Sequence, residues 1–212
     1  MTLTEILTFA FVASLLVMSP GPNGLLIAKT VPTSGRAAGF ANIAGFVSAF
    51  FVQGTLSLLG LALILLQSAV AFAVVKYLGA AYLCWIGLKA LIAAWRGDVA
   101  QQAVSPAKRR RTLWRAYGEG LLTNLLNPKT AMFYLAAFPQ FISASDTGPW
   151  AAYHLIAVHS LINGLWFGAM VLLFAQLSKA AQSGAFQRWL KAITGVIFIG
   201  FAAKLASMRA AL

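Results

Sequence analysis

This chain of 212 residues carries few charged residues, and only four of them are acidic. Charged residues make up 9% of the chain, against about 25% in a soluble domain, while 60% of the residues are hydrophobic. No segment is both long enough and polar enough to fold as a separate soluble domain. Such a composition is typical of an integral membrane protein built from transmembrane helices of about 20 residues each.

Cysteine and histidine are also scarce, with one cysteine and two histidines. The single thiol, Cys84, forms neither an internal disulfide nor a zinc site. The four acids, Glu5, Asp98, Glu119 and Asp146, are widely dispersed, and the sequence has no metal cluster, phosphate loop or nucleophile triad. These absences argue against an enzyme and predict neither a metal nor a cofactor.

Six apolar segments account for most of the chain. They cover residues 6–28, 38–66, 70–94, 120–141, 151–177 and 189–207. Their connections are short except for a basic one between the third and the fourth segment. The sequence therefore predicts one all-α transmembrane domain over 1–212. Its first three-helix repeat covers 1–95, its basic loop 96–115 and its second three-helix repeat 116–212.

The basic residues predict the orientation of these spans. Those near the loops after spans one, three and five are Lys29, Arg36, Lys89, Arg96, Lys108, Arg109, Arg110, Arg111, Arg115, Lys179, Arg188 and Lys191. Only Lys76, Lys204 and Arg209 lie on the opposite side. The positive-inside rule then places the basic loop in the cytoplasm and both termini outside. Bases in short loops also contact anionic lipid, and this placement argues against nucleic-acid binding.

The start of the chain carries Glu5 as its only charge before Lys29, which favours a retained first span over a cleaved signal peptide. With three spans in each half, the two halves have opposite orientations in the membrane. That arrangement is an inverted-topology repeat.

Each half contains a proline break inside an apolar span. The breaks are Ser19-Pro20-Gly21-Pro22-Asn23 and Asn127-Pro128-Lys129. Proline removes a backbone donor, and in lipid a broken helix persists only where protein or a wet cavity satisfies the freed groups. Both breaks lie roughly 12 Å from the predicted inner edge of a core about 30 Å thick. Paired breaks near the midplane, in helices 1 and 4, predict the binding site of a transporter.

The two breaks differ in their chemistry. The free carbonyls before Pro20 accept ammonium groups or cations, and the positive helix end after Pro22 can face a carboxylate, so the site suits an amino-acid zwitterion. A purely structural kink is the alternative. Lys129 would hold a substrate carboxylate or carry a proton, with snorkelling toward an interface as the alternative. We therefore expect the substrate's carboxylate near Lys129 and its ammonium group near the carbonyls around Ser19.

Other polar residues inside the spans are further candidates. Thr123, Asn124 and Asn127 are predicted to share one side of the fourth helix, and His159 and Asn163 one face of the fifth. The candidate substrate-binding residues are Ser19, Pro20, Gly21, Pro22, Asn23, Gln53, Thr123, Asn124, Asn127, Pro128, Lys129 and Asn163. The candidates for proton coupling are Lys129, Glu119 and His159.

Each of these candidates has a structural alternative. Glu119 would pair with the basic loop, His159 would pack as a neutral hydrogen-bonded side chain, and polar groups such as Gln53 would join helices. Small residues predict close helix contacts. These are Gly79 and Gly87 in the third span, Gly195 and Gly200 in the sixth, and Gly118 and Gly120 beside Glu119.

In these motifs the chain resembles the lysine-exporter superfamily, in its homoserine/threonine efflux branch. The resemblance covers essentially the full length. Besides the two proline breaks it is carried by Ser34-Gly35-Arg36-Ala37-Ala38-Gly39, Ile43-Ala44-Gly45, Lys76-Tyr77-Leu78-Gly79-Ala80-Ala81-Tyr82-Leu83, Ile86-Gly87-Leu88-Lys89, the residues from Gly120 to Leu126 and Phe138-Pro139-Gln140-Phe141. In such proteins a glycine and a polar residue often follow Gly45 along span two. This chain has Ala49 and Phe50 there, without the polar group that a proton route through span two would use.

The resemblance implies six spans, export of an amino acid or close derivative, and proton antiport. It also implies the plasma membrane of a bacterium, which is the inner membrane in a Gram-negative organism. The expected partners are a small amino-acid substrate, protons and membrane lipid, and homo-oligomerisation is left open. The alternative is a membrane-embedded enzyme or a channel-like protein with a similar number of helices.

Overall fold

Prolines and glycines determine where the helices of this protein begin and end. The computed structural model describes residues 1–67, 69–97, 110–142, 149–173 and 184–207. The helices in these ranges are α1 (Leu3–Met18), α2 (Pro22–Gln67), α3 (Ala69–Arg96), α4 (Leu113–Leu125), α5 (Pro128–Met132), α6 (Trp150–Leu172) and α7 (Gly184–Ser207). A π-helical turn, Phe133–Ala137, and a 3-10 turn, Phe138–Phe141, follow α5. All regular secondary structure in the described residues is thus helical, as predicted.

The helices have the length and surface of membrane spans. Those apolar and long enough to cross a membrane are Pro22–Gly60, Tyr77–Arg96, Trp150–Leu172 and Gln187–Ser207. Helix α1 is apolar but shorter. Large apolar side chains such as Leu78, Leu161 and Val196 are more than half exposed on the outside of the bundle. Such a surface fits lipid, and the protein is an integral membrane protein of the all-α class.

The first break follows from the local sequence. Thr2 and Glu5 form a capping box that starts α1. Ser19 is extended (φ −62°, ψ 136°), as expected for a residue before proline, and this ends α1 at Met18. Pro22 then opens α2, since proline is well suited to the first position of a helix. The helix is broken again at Gly35, whose φ of 82° is accessible to glycine. The first predicted span therefore ends too early, at residue 28, because the helix continues to Gly35.

The helix that precedes the second break begins earlier in the sequence than predicted. Thr112 caps α4, which begins at Leu113 and not at residue 120, so the last three residues of the predicted basic loop are helical. The helix ends at Leu125, and Asn127 caps the short helix α5 that follows. Asn127 therefore does not share a side of α4 with Thr123 and Asn124, and that prediction is wrong. Residues 98–109 of the predicted loop and 174–177 of the predicted fifth span lie outside the described ranges.

Helix α2 packs along α4 and α6, α3 packs along α7, and α6 also contacts α1. Where α2 meets α4, a Cβ atom on Gly120 would lie 2.8 Å from the Cα atom of Asn42. Where α3 meets α7, a Cβ on Gly87 would lie 2.8 Å from the carbonyl oxygen of Gly195, and a Cβ on Gly195 would lie 2.7 Å from that of Gly87. Glycine is required at these positions, because any side chain would meet the backbone of the next helix.

Two of the predicted glycine contacts are wrong. A Cβ on Gly118 or on Gly200 would have no atom within 4 Å. Small residues are therefore needed at Gly120, Gly87 and Gly195, whereas Gly118 and Gly200 face open space.

An aromatic core lies where both halves of the chain meet. We define it as the fully buried rings of Phe9, Phe50, Phe133, Tyr134 and Phe138. They come from α1, α2 and the two turns after α5, and the ring centroids of Phe9 and Phe133 are 5.8 Å apart. This core fixes the irregular segment that follows the second break.

The glycine contact between α2 and α4 yields a stability test. Gly120→Ala should lower the free energy of unfolding by about 1–3 kcal/mol, because the added methyl group overpacks the contact with Asn42. Gly118→Ala should leave it unchanged or raise it by about 0.5–1 kcal/mol, because alanine is the better helix former. Thermal unfolding of both variants in the same detergent measures the difference. Equal Tm values would contradict the close approach of α2 and α4.

Candidate functional site

Lys129 extends from the second break to the first. Its Nζ lies 2.9 Å from the carbonyl oxygen of Leu16, 2.9 Å from that of Ser19 and 3.4 Å from Ser19 Oγ. The Leu16 carbonyl is free because its partner four residues later would be Pro20, which has no N–H. The ammonium group also lies at the negative end of the α1 dipole. Lys129 is therefore bound inside the bundle by backbone that Pro20 opens.

This contact changes the expected placement of substrate charges. The carbonyls around Ser19, where we expected the ammonium group of a substrate, are occupied by the ammonium group of Lys129 itself. Gly21 provides the space, since a Cβ there would lie 3.0 Å from Nζ of Lys129 and 3.4 Å from its Cε. The side chain therefore bridges the two breaks, unlike a snorkelling lysine, which would extend toward an interface.

Gln53 of α2 covers the carbonyls of the second break. Its Nε2 donates to the carbonyl oxygens of Leu125, at 3.0 Å, and Asn124, at 3.3 Å. Asn124 precedes Pro128 by four residues, so this proline also removes a backbone donor. The Asn124 carbonyl also accepts from the N–H of Asn127 at 3.1 Å. At both breaks, a side chain from another segment thus donates to the carbonyl four residues before the proline.

Asn124 connects both breaks with α2. It is fully buried, and its Oδ1 accepts hydrogen bonds from Asn23 Nδ2 (2.9 Å) and Thr130 Oγ1 (3.1 Å). Its Nδ2 donates to the carbonyl oxygen of Phe46 at 2.9 Å. Thr123 stands outside this network. The Oδ1 of Asn23 is buried and has no hydrogen-bond partner within the described part of the chain, which marks a place for a ligand or water to donate a bond.

His159 lies in the aromatic core. Its ring stacks on Phe50 with centroids 4.2 Å apart, and its Nδ1 is 3.2 Å from the hydroxyl of Tyr134. Asn163 is buried one turn later, so these two residues share a buried face of α6 as predicted. Among the described residues, His159 Nε2 and Asn163 Oδ1 have no hydrogen-bond partner.

Glu119 lies apart from this group and is held by arginines. It forms ion pairs with Arg111 and, at 3.1 Å, with Arg115. The backbone N–H of Arg111 in turn donates to Ser34 Oγ at 2.9 Å. These contacts agree with the alternative that Glu119 pairs with the basic segment.

Two residues of the site were missed from the sequence. Thr130 joins the network of Asn124, and Tyr134 binds His159 while its carbonyl accepts a bond from Ser57 Oγ at 2.5 Å. Only their positions in the sequence, close to Lys129, pointed to these two residues. Thr130 follows Lys129 directly, and Tyr134 stands four residues later, on the same side of a helix. A π-helical turn at this point is itself typical of functional sites.

A bundle of apolar helices with a polar site between two broken helices is typical of a membrane protein that binds a small polar ligand. The chain matches the family model described as LysE type translocator over residues 14–209. It therefore belongs to the LysE type translocator family, which confirms the resemblance. The protein is a translocator and not an enzyme.

Several relatives are similar over nearly their whole length. The threonine efflux protein of Escherichia coli (strain K12) is 32% identical over 202 residues, which cover 92% of this chain and 94% of that protein. The leucine efflux protein of Klebsiella pneumoniae is 31% identical over 214 residues, or 96% and 95% of the two chains. The uncharacterized membrane protein YrhP of Bacillus subtilis is 30% identical over 204 residues, or 94% and 97%. No solved structure matches the chain.

The contribution of the Asn124 network to stability can be tested with a variant of Asn124 and a control variant of the adjacent Thr123. Asn124→Ala should destabilise the protein, because it leaves buried groups of Asn23, Thr130 and Phe46 without a partner, at about 1–3 kcal/mol for each group. Thr123→Ala should change stability by no more than about 0.5 kcal/mol. Thermal unfolding in detergent compares the two variants. An Asn124→Ala protein as stable as the Thr123→Ala control would show that the network contributes nothing.

Proposed function

We propose that this protein exports an amino acid or a close derivative from the cytoplasm, by secondary transport with proton antiport and alternating access. The observation that carries the proposal is the lysine ammonium group that bridges two broken helices. Lys129 can bind a substrate carboxylate, and the carbonyls of Leu16 and Ser19 can bind an ammonium group. The names of the relatives, threonine efflux protein and leucine efflux protein, support an amino-acid substrate.

We further propose six spans arranged as two inverted three-helix repeats. The first repeat comprises a broken span (α1 with residues 22–34), residues 36–67 and α3. The second comprises a broken span (α4, α5 and the two turns), α6 and α7. The first span of each repeat is the broken one, which fits a related order of helices in both halves.

Contacts between residues 108 positions apart support a two-fold axis between the halves. Pro20 and Pro128 have this spacing, and so do Gly87 and Gly195. The two glycines meet each other reciprocally, each facing the carbonyl of the other. A residue contacts its own counterpart only close to a symmetry axis. Gly21 and Lys129 have the same spacing and are also in contact, so both broken spans approach the axis at their breaks.

The orientation has the basic ends in the cytoplasm and both termini outside. The guanidinium of Arg36 donates to the carbonyl oxygen of Leu172 at 3.2 Å, and the N–H of Arg111 donates to Ser34 Oγ. These bonds gather the end of the first span, the start of α4 and the end of α6 at one end of the bundle. The positive-inside rule places that end in the cytoplasm of a bacterium, with the bundle in its plasma membrane. In a Gram-negative organism this is the inner membrane.

Lys129 and His159 are the residues to which we assign proton coupling. Lys129 lies in α5, and His159 contacts Tyr134, which follows Lys129 by five residues, so both titratable groups lie at the second break. Glu119 was the third candidate, but its carboxylate is held by Arg111 and Arg115. Its contacts favour a role in ordering the cytoplasmic end of the bundle.

Counterflow in proteoliposomes tests the export of amino acids. Vesicles loaded with one unlabelled amino acid from a panel that includes threonine and leucine should accumulate the same labelled amino acid saturably. A pH gradient should change the rate, because the transport is coupled to protons. Absence of stimulated flux for every amino acid in the panel would contradict the proposal. An ion current in place of saturable exchange would instead indicate a channel.

Lys129→Ala should reduce counterflow to the level of empty vesicles, because the variant lacks the charge that faces the substrate. Lys89→Ala is the matched control. That lysine is exposed on α3, with its Nζ 5.2 Å from the ring centroid of Trp85, and its loss should leave the rate unchanged. Both variants are to be compared at equal amounts of folded protein, judged by gel filtration. Full activity of a folded Lys129→Ala protein would eliminate this role of the lysine.

A further inference from the structure

The carbonyl groups at the first break form a site for a primary ammonium group. A primary ammonium group donates three hydrogen bonds. Lys129 Nζ has three acceptors within 3.4 Å, namely the carbonyls of Leu16 and Ser19 and the Ser19 hydroxyl. The α-amino group of an amino acid is also a primary ammonium group and can make the same three bonds. The side chain of Lys129 therefore occupies the position that suits the amino group of a substrate.

We propose that Lys129 is a tethered competitor for this position, and that an α-amino acid displaces it by exchanging partners. The amino group of the substrate takes the carbonyls of Leu16 and Ser19, while the Lys129 ammonium turns to the substrate's carboxylate. This inference rests on the proposed function. The exchange replaces one ammonium group with another at the carbonyls and adds an ion pair between Lys129 and the carboxylate, so no charge is left unpaired in the bundle.

The exchange selects zwitterions because each of the two charges must find a partner. An amine without a carboxylate would displace Lys129 and leave its charge unpaired. A carboxylate without an amino group would draw Lys129 away and leave the carbonyls of Leu16 and Ser19 without a donor. Unpaired charges and unsatisfied carbonyls are both costly within a membrane. The site should therefore bind α-amino acids better than the corresponding amines or carboxylic acids.

The local geometry places all partners of the exchange at one point. The ammonium group of Lys129 lies beside Gly21, where no side chain blocks it. Gly21 directly precedes the N-terminal end of α2, which favours a negative group. A carboxylate held there would face both this helix end and a lysine on a flexible four-carbon stem. The exchange of partners itself then needs only the rotation of the Lys129 side chain, once a substrate has entered between the breaks.

The second break does not have this property. Its freed carbonyls are covered by the amide of Gln53, which is neutral. A substrate carboxylate would draw this amide away only weakly. A carboxylate binds a neutral amide donor less strongly than it binds an ammonium group. The first break is therefore the one at which substrate binding and release of the internal donor are linked.

The strength with which Lys129 competes for the carbonyls follows from the attachment of its ammonium group to a short side chain. A group on a short flexible linker competes at an effective concentration on the order of mM. An amine ligand must displace the Lys129 ammonium against this concentration, with no compensating contact from a carboxylate. Removal of the ammonium group should therefore strengthen the binding of amines and weaken that of amino acids, a change of opposite sign for the two ligands.

Binding to the purified full-length protein in detergent tests this exchange. The probes are leucine, its decarboxylated analogue 3-methylbutylamine and its deaminated analogue 4-methylpentanoate. If another amino acid shows the stronger counterflow, its own amine and acid replace them. Calorimetry on the native protein should show the amino acid binding at least about tenfold more tightly than either analogue. In Lys129→Met the amine should bind at least about tenfold more tightly than to the native protein, and the amino acid more weakly.

Two further variants separate the exchange from simpler effects. Pro20→Ala restores an N–H opposite the Leu16 carbonyl, so in the double variant with Lys129→Met the gain for the amine should disappear. Lys89→Met should bind all three probes as the native protein does. If Lys129 only contacts the carboxylate, a folded Lys129→Met protein will lose affinity for leucine with no gain for the amine, and this result overturns the exchange.

The native protein alone also decides the question if Lys129→Met does not fold. Equal affinity for the amino acid and the amine would overturn the exchange of partners. Amino-acid counterflow measured on the same preparation reports the export function separately. Flux with equal affinities would leave export standing without the exchange, whereas absence of flux for every amino acid would overturn export itself.

Discussion

A carbonyl freed by proline inside a membrane must find a hydrogen-bond donor within the protein, and the centre of this structure depends on that requirement. Each such group costs several kcal/mol when left unsatisfied in hydrocarbon. Pro20 frees the Leu16 carbonyl, which binds Lys129. The Asn124 carbonyl has no donor at Pro128 and accepts instead from the N–H of Asn127 and from Gln53. In both cases the side-chain donor comes from the other half of the chain. The breaks therefore hold the two halves together, in addition to opening the helices.

The two breaks differ in chemistry at positions that have the same spacing as their prolines. Lys129 and Gly21 have the same 108-residue spacing as the two prolines, and they are in contact. One position supplies a charge and the other supplies the space for it. A second lysine at position 21 would place two ammonium groups within a few ångströms in a medium of low dielectric constant, where they repel strongly. Only one of the two positions can therefore be a lysine. A site with one positive charge also suits a substrate with a single carboxylate.

The sequence predicts those features that depend on neighbouring residues. The two breaks, the integral membrane class and the shared face of His159 and Asn163 could all be read from local patterns. Helix ends were less accessible, because hydropathy marks the residues that lie in lipid and not the point where the helix stops. Helix α4 begins with Leu113, Trp114 and Arg115 at its more polar end and was for that reason placed too late. The target of Lys129 could not be predicted at all, since it depends on which helices are neighbours in space.

The aromatic core limits the part that α2 can have in proton movement. Phe50 stands where the resemblance led us to expect a polar residue, and its ring stacks directly on His159. On this side the imidazole meets an apolar ring that can neither donate nor accept a proton. Its Nδ1 contacts the hydroxyl of Tyr134, and Nε2 is the nitrogen without a hydrogen-bond partner in the described part of the chain. If His159 takes part in coupling, it does so from the side that Phe50 does not cover.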